Sequence, residues 1–273
     1  MDLDCTRQLR NKFGGCTAVG ILCIGSFTLL SYAFVLASHR LNSTVYINPA
    51  KISNGGNVVY DITNGHLIKN RTKITQPPPG TQMGQQQIDK ILSVLPRNGN
   101  LLVWGLGNDS PFWHDSTDGK VAFIEESGTP WFAKITSKYP FLNALEVKYS
   151  THLVQSLERY SHYRSLWHEL NVSDQLPASV KDTAWDVIIV DAPAGFKPGN
   201  AGRYQSIFTS AFLAEVGTHI FVDDYERKVE YEMSNQILGT PVEVTRRPMT
   251  FINSNVQAHF IVTEECKRNI LNV

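Results

Sequence analysis

The sequence is short of the residues that staple a fold or charge its surface. Cysteine occurs only at Cys5, Cys16, Cys23 and Cys266. Three of these crowd the N-terminus, so a disulfide framework and a clustered cysteine metal site are excluded from the rest of the chain. Excess charge is missing as well. Lys plus Arg number 25 and Asp plus Glu number 25, a formal net charge of zero. A broad electrostatic grip on nucleic acid is therefore not expected. No internal repeat is visible. His114, His152, His162, His168 and His219 fall in no metal-ligand spacing, and each is expected in a core or surface role. Aromatic residues, by contrast, are plentiful enough for a real core.

Charge is wholly absent from Gly14 to Ser38 (GGCTAVGILCIGSFTLLSYAFVLAS). This run is long enough to cross a bilayer core. Arg7, Arg10 and Lys12 precede it and put the short N-terminal end on the cytoplasmic side. The competing reading is a cleaved signal peptide, because Val35-Leu36-Ala37-Ser38 ends in small residues. The apolar run is longer than a signal core, however, and an uncleaved anchor is the expectation. The expected organisation is a cytoplasmic tail over 1–13, a transmembrane signal anchor over 14–38, a lumenal stem over 39–82 and one domain over 83–273. Sequons at Asn42, Asn70 and Asn171 suit the lumenal side. The stem has no sustained periodicity and carries Gly55-Gly56 and Pro77-Pro78-Pro79-Gly80, with a short strand at Val58 to Ile62.

Periodic order begins near Met83. Ile88, Ile91, Leu92 and Leu95 share a helical face, and Pro96 with Gly99 ends it. Strands are expected at Leu101 to Trp104, Val121 to Ile124, Leu145 to Tyr149, Trp185 to Val190 and His219 to Val222. Two more are expected near Val242 to Thr245 and Ala258 to Thr263. Helices are expected at Trp131 to Tyr139, Val154 to Leu170, Tyr204 to Glu215 and Glu226 to Leu238. Trp185 to Val190 (WDVIIV) is continuously apolar and β-branched, as in a strand covered on both faces. Alternating strands and helices predict an α/β fold with a mostly parallel sheet. In such sheets ligands bind beyond the carboxyl ends of the strands.

The residues at those ends are informative. After the first strand comes Gly105-Leu106-Gly107-Asn108-Asp109-Ser110. Glycines allow a tight turn and close backbone approach to a ligand. The third glycine of a dinucleotide fingerprint is missing, and so is the Gly-Lys-Ser/Thr of a phosphate loop. The turn is thus suited to a ligand without phosphate. Glu125 and Glu126 end the second strand, where a carboxylate accepts both hydroxyls of a ribose. A solvated acidic strand end is the bland alternative. Asp191 follows the WDVIIV strand, and Asp223 and Asp224 follow HIFV. Crowded carboxylates repel and raise one another's pKa. Relief can come from a divalent cation on Asp191, Asp223 and Asp224, from a partner such as Arg203 or Arg227, or from a shared proton. Lys197 and Arg203 lie in the loop KPGNAGR and are candidates for an anionic substrate group, although solvated surface charge is the usual fate of such cations.

These pieces together resemble the plant glucuronoxylan 4-O-methyltransferase family, which includes the irregular-xylem xylan proteins and arabinogalactan methyltransferases. The similarity runs from about Met83 to Thr263, through LVWGLGNDSPFW, VAFIEE with Trp131, WDVIIVDAPAGF, GRYQSIFT and THIFVDDYERKVE. Asp223 stands where His is frequent in the family, and Tyr204 where Met is frequent. The cysteine pair that many plant members carry before the first strand is replaced by Pro96-Arg97-Asn98-Gly99-Asn100.

The resemblance implies a class I, Rossmann-like fold that uses S-adenosylmethionine, a cofactor with a ribose diol and no phosphate. Gly105, Leu106, Gly107 and Asp109 would meet the cofactor, with Glu125 and then Glu126 on its ribose. Asp191 and Asp224 would stand beside the transferring methyl, and Lys197, Arg203 and Arg227 on the substrate side. The expected function is methyl transfer to a sugar hydroxyl, O4 of glucuronic acid on xylan or a related polysaccharide, in the Golgi membrane. The rivals are a non-catalytic accessory protein of polysaccharide synthesis and a methyltransferase of a small phenolic or lipid.

Overall fold

The computed structural model describes residues 58–63, 66–247 and 256–271. The expected anchor over 14–38 and the stem residues 39–57 and 64–65 lie outside them. Among the described residues no helix is long and apolar enough to cross a membrane.

Two strands, β1 (Val58–Thr63) and β2 (His66–Thr72), pair as an antiparallel hairpin. The main sheet contains β3 (Leu101–Trp104), β4 (Val121–Glu126), β5 (Ala144–Val147), β6 (Val187–Val190), β7 (His219–Val222), β8 (Glu243–Arg246) and β9 (Val256–Ile261). Their order is β5-β4-β3-β6-β7-β9-β8. Strands β3 to β7 are mutually parallel, while β9 runs antiparallel to both β7 and β8. The chain reverses direction across the sheet at β3, whose two neighbours are β4 and β6. That makes the carboxyl end of β3 a topological switch point, where a crevice opens between diverging loops.

Alternation along the strands builds two cores. Leu102, Trp104, Ile124, Ile188, Val190, Ile220 and Val222 face one side of the sheet. There they meet α4 (Leu153–His162), α6 (Tyr204–Leu213), α7 (Lys228–Leu238) and α8 (Glu264–Leu271). Leu101, Val103, Phe123, Ile189 and Phe221 face the other side. These pack on α1 (Gln85–Val94), α2 (Ser110–Asp115) and α3 (Pro130–Lys138). A short helix, α5 (Ala178–Lys181), leads into β6. The central strands are covered on both faces, which is why β3 and β6 are apolar at every position.

Two elements differ from expectation. The single helix expected over Val154 to Leu170 breaks at Tyr163, and Arg164–Leu170 continue as a 3₁₀ helix. Fully buried Trp167 donates its indole N–H to the Tyr160 carbonyl, at 2.8 Å, and so turns the chain at the helix end. Trp167 and Leu170, three apart, are both buried, which suits the tighter period. The strand expected over Leu145 to Tyr149 ends at Val147, because the Lys148 backbone pairs instead with the Gln175 side chain.

Candidate active site

A cleft of about 340 Å³ opens at the carboxyl ends of β3, β4 and β6. Its floor is the turn Gly105 to Ser110. Gly105 has φ +129°, a backbone that side-chain-bearing residues rarely adopt. At Gly107, a Cβ would stand 2.6 Å from an Asp109 carboxylate oxygen. The Gly107 N–H donates to the Ser110 hydroxyl at 2.8 Å, which holds the turn against α2. Asp109 sits at the start of α2 and accepts the Trp113 indole N–H at 3.3 Å; burial raises its pKa, against its own backbone and that indole.

Glu125 forms the adjoining wall. One of its oxygens accepts the Leu106 N–H at 2.9 Å and the other the Glu126 N–H at 3.0 Å. The carboxylate is thereby fixed toward the floor turn, and each oxygen retains a lone pair for a further donor. Burial pushes its pKa up, while those two backbone donors oppose the rise. Glu126 does not line the cleft. Trp131 and the segment Pro78 to Met83 supply the remaining walls. The Pro- and Gly-rich sequence up to Gly84 is that of a stem or a lid, and Pro78 to Met83 lie against the cleft.

Asp191 and Ala192 line the far side of the cleft. Next to them stands a charged cluster on Arg203, only 3% exposed. Its Nη2 donates to the Asp191 carbonyl at 2.8 Å, to Asp191 Oδ1 at 3.0 Å and to Asp224 Oδ2 at 2.6 Å. Its Nη1 donates to the Asp223 carbonyl. Asp224 also accepts Arg227 Nη1 at 2.8 Å and has φ +56°. The Asp191 side chain is 44% exposed. Even so, the surrounding protein and then the Asp223 carboxylate push its pKa well up, with Arg203 opposing. Arg203 is thus committed to internal carboxylates, so it is a partner of the cluster and not an open docking point. The accessible cations are Arg227, 28% exposed, and Lys197, which lies on an exposed loop beside Phe196.

The donor sets fit the two expected groups unequally. A ribose diol fits Glu125, because its oxygens are oriented and keep acceptor capacity. Asp191, Asp223 and Asp224 bring ligand oxygens within 4.8 Å of one another, an all-oxygen set that could hold a hard divalent cation. Arg203, however, already stands among them and supplies the positive charge that a cation would bring.

Two groups were missed at the sequence level. Tyr149, just beyond β5, has a buried hydroxyl with no hydrogen-bond partner. Burial and then Glu125 and Glu126 push that phenol well up. Glu230, on α7, is fully buried beside Arg203. Neither carries a local motif, since both were placed by packing.

The sheet order, the antiparallel β9 and a crevice at the switch point define a Rossmann-like fold of the class I S-adenosylmethionine-dependent methyltransferase type. The family model described as IRX15/IRX15L/GXM matches residues 86–247, and the chain belongs to that family. Arabinogalactan O-methyltransferase 2 of Arabidopsis thaliana is 33% identical over 178 residues, 58% of this chain and 61% of that protein. Glucuronoxylan 4-O-methyltransferase 3 of the same plant is 38% identical over 154 residues, 51% of this chain and 52% of that one. The chain therefore spans between half and about three fifths of the length of these relatives. Among solved structures, an rRNA methylase from Streptococcus thermophilus aligns with 64% of this chain and 94% of its own, at 14% identity and a TM-score of 0.37. That likeness is slight, and the fold assignment rests on the strand order.

Proposed function

We propose that the chain is an S-adenosylmethionine-dependent O-methyltransferase acting on a glycan hydroxyl, with O4 of glucuronic acid on xylan or a related polysaccharide as the first acceptor to test. The observation that carries this reading is the juxtaposition at the β3 switch point. A cleft with an oriented diol acceptor, Glu125, runs directly into a carboxylate, Asp191, held by a buried arginine. Membership of the family supports the class of acceptor.

Bound in the cleft, S-adenosylmethionine supplies a methyl group already activated by its sulfonium. The chain's own task is then alignment and proton removal. Asp191 is the residue proposed to accept the hydroxyl proton, because it is the cluster carboxylate that both lines the cleft and stays accessible. A carboxylate with a raised pKa is a better base than an ordinary one. Asp224 and Arg203 hold it in place. Arg227 and Lys197 are proposed to meet the uronate of the acceptor, being cations that retain solvent access. If Asp191, Asp223 and Asp224 hold a divalent cation, it would lower the pKa of the acceptor hydroxyl.

The deciding experiment is transfer of radiolabelled methyl to a panel of uronic-acid-bearing oligosaccharides, with catechols as the contrast. Asp191→Asn and Asp224→Asn, each with and without chelator, belong to the same series. Turnover on glucuronoxylan fragments that collapses in D191N supports the assignment. Unchanged turnover in both variants sinks it, and loss in chelator alone moves the chemistry to a metal. Failure of the purified protein to bind S-adenosylmethionine at all would favour an accessory role.

The site of action is proposed as the Golgi lumen, with the run 14–38 as a single type II anchor. The basic residues before that run support this orientation. Protease added to intact vesicles should spare the domain, and its digestion there would reverse the topology.

A further inference from the structure

Glu230 sits in the first turn of α7, wholly removed from solvent. Neither of its carboxylate oxygens has a hydrogen-bond partner. Taking a carboxylate out of water costs several kcal/mol unless a cation compensates it. A packing position of this depth would be filled more cheaply by Leu or Met. The compensating cation is close: Oε1 lies 4.0 Å from Nε of Arg203. That Nε is itself buried and has no hydrogen-bond partner. The loop from Asp191 to Arg203 is shaped around the same carboxylate. A Cβ on Gly195 would come within 2.8 Å of Oε1, so a side chain there requires the carboxylate or the loop to shift.

We infer that Glu230 is the positioning residue of the reaction centre: it holds the Nε edge of Arg203, so that the Nη edge stays directed at Asp191 and Asp224. A guanidinium is planar and rigid, so fixing one edge fixes the direction of all its donors. Glu230 touches no cleft atom and acts through Arg203. The carboxylate set therefore has two layers. Asp191, which lines the cleft, and Asp224 accept from the Nη2 corner of the guanidinium, and Glu230 faces its Nε edge. Burial raises the pKa of the Glu230 carboxyl, with Arg203 the first group to oppose the rise.

The catalytic part of the inference rests on the proposed methyl transfer, and the test separates the two. Glu230→Gln keeps the volume and removes the charge. In the full chain, kcat for methyl transfer from radiolabelled S-adenosylmethionine to a glucuronoxylan oligosaccharide should fall about tenfold or more, with KM for the cofactor unchanged. Glu230→Asp should recover part of the loss. In an Arg203→Lys background, E230Q should add nothing, because its route through Arg203 is already broken. Equal losses in both backgrounds overturn the inference.

A second readout needs no turnover. The Arg203 Nε–H resonance, assigned by its loss in R203K, should exchange slowly in the wild type and faster in E230Q. Unchanged exchange overturns the inference whatever the acceptor proves to be. If the wild type methylates nothing, the functional reading fails and the resonance alone decides the role of Glu230. Should E230Q not fold, Gly195→Ala displaces the same carboxylate and is expected to speed the same exchange. An unaltered resonance in G195A counts equally against the idea.

Discussion

At the scale of single residues, the cleft depends on two kinds of constraint, backbone shape and oriented charge. Gly105 represents the first. A valine there must adopt φ near +129°, at a cost of about 1–3 kcal/mol, and projects branched carbon toward Asp191 and Ala192. Gly105→Val should abolish S-adenosylmethionine binding by calorimetry while circular dichroism still reports a folded domain. Retained affinity would remove the turn from the cofactor site. Glu125 represents the second. Glu125→Gln replaces one acceptor oxygen by a donor that faces a backbone N–H, either that of Leu106 or that of Glu126. An unmade buried hydrogen bond costs about 1–3 kcal/mol, so cofactor affinity should drop about 5- to 150-fold. An unaltered Kd would exclude Glu125 as the diol acceptor. Both residues were legible in the sequence, because a Gly-X-Gly turn and a strand-end carboxylate are local signals. Arg203 was legible as a loop cation and as one possible partner of the crowded carboxylates. Its burial among Asp191, Asp223 and Asp224 depends on the ends of β6 and β7 meeting, and spacing along the chain does not encode that.

At the scale of elements, the seam between β7 and β9 carries a pH dependence. His219 Nδ1 and His259 Nε2 face each other at 2.8 Å, and His259 stacks nearly coplanar on Phe221. Burial and then His219 lower the His259 pKa from 6.5 to about 4. The unfolded chain binds this proton more tightly than the folded one. The stability it contributes is therefore full above about pH 6.5 and lost as pH falls toward about 4, up to about 3 kcal/mol. Thermal unfolding between about pH 7 and about pH 5 should fall steeply in the wild type and less steeply in His259→Phe. Equal slopes would show that the pair does not titrate on unfolding. No local pattern signals this pair, since the partners are forty residues apart. The strands were easier to read: β3, β6 and β7 are buried at nearly every position and show as apolar runs. The helix broken at Tyr163 was not, because its amphipathic pattern continues through the break while the backbone changes period.

At the scale of the whole molecule, the proposed cofactor binding would be linked to folding. S-adenosylmethionine at about 100 times its Kd adds about 2.7 kcal/mol to the stability of a protein that binds it only when folded. For a domain of this size that is a rise of roughly 5–10 °C in Tm. Differential scanning should show the shift in the wild type and lose it in Gly105→Val. No shift in the wild type would withdraw the methyltransferase reading itself.

Among the described residues, β8 closes one side of the main sheet. It alternates as Glu243, Val244, Thr245 and Arg246, is largely solvated, and its Glu243 pairs with Lys90 of α1 at 2.5 Å. An incoming strand from another molecule would have to strip water from those charges and break that pair before gaining any ladder hydrogen bond. The open margin of the sheet is thus guarded against self-templated growth. Among the described residues that guard needs no disulfide, since the one cysteine there, Cys266, is free and buried.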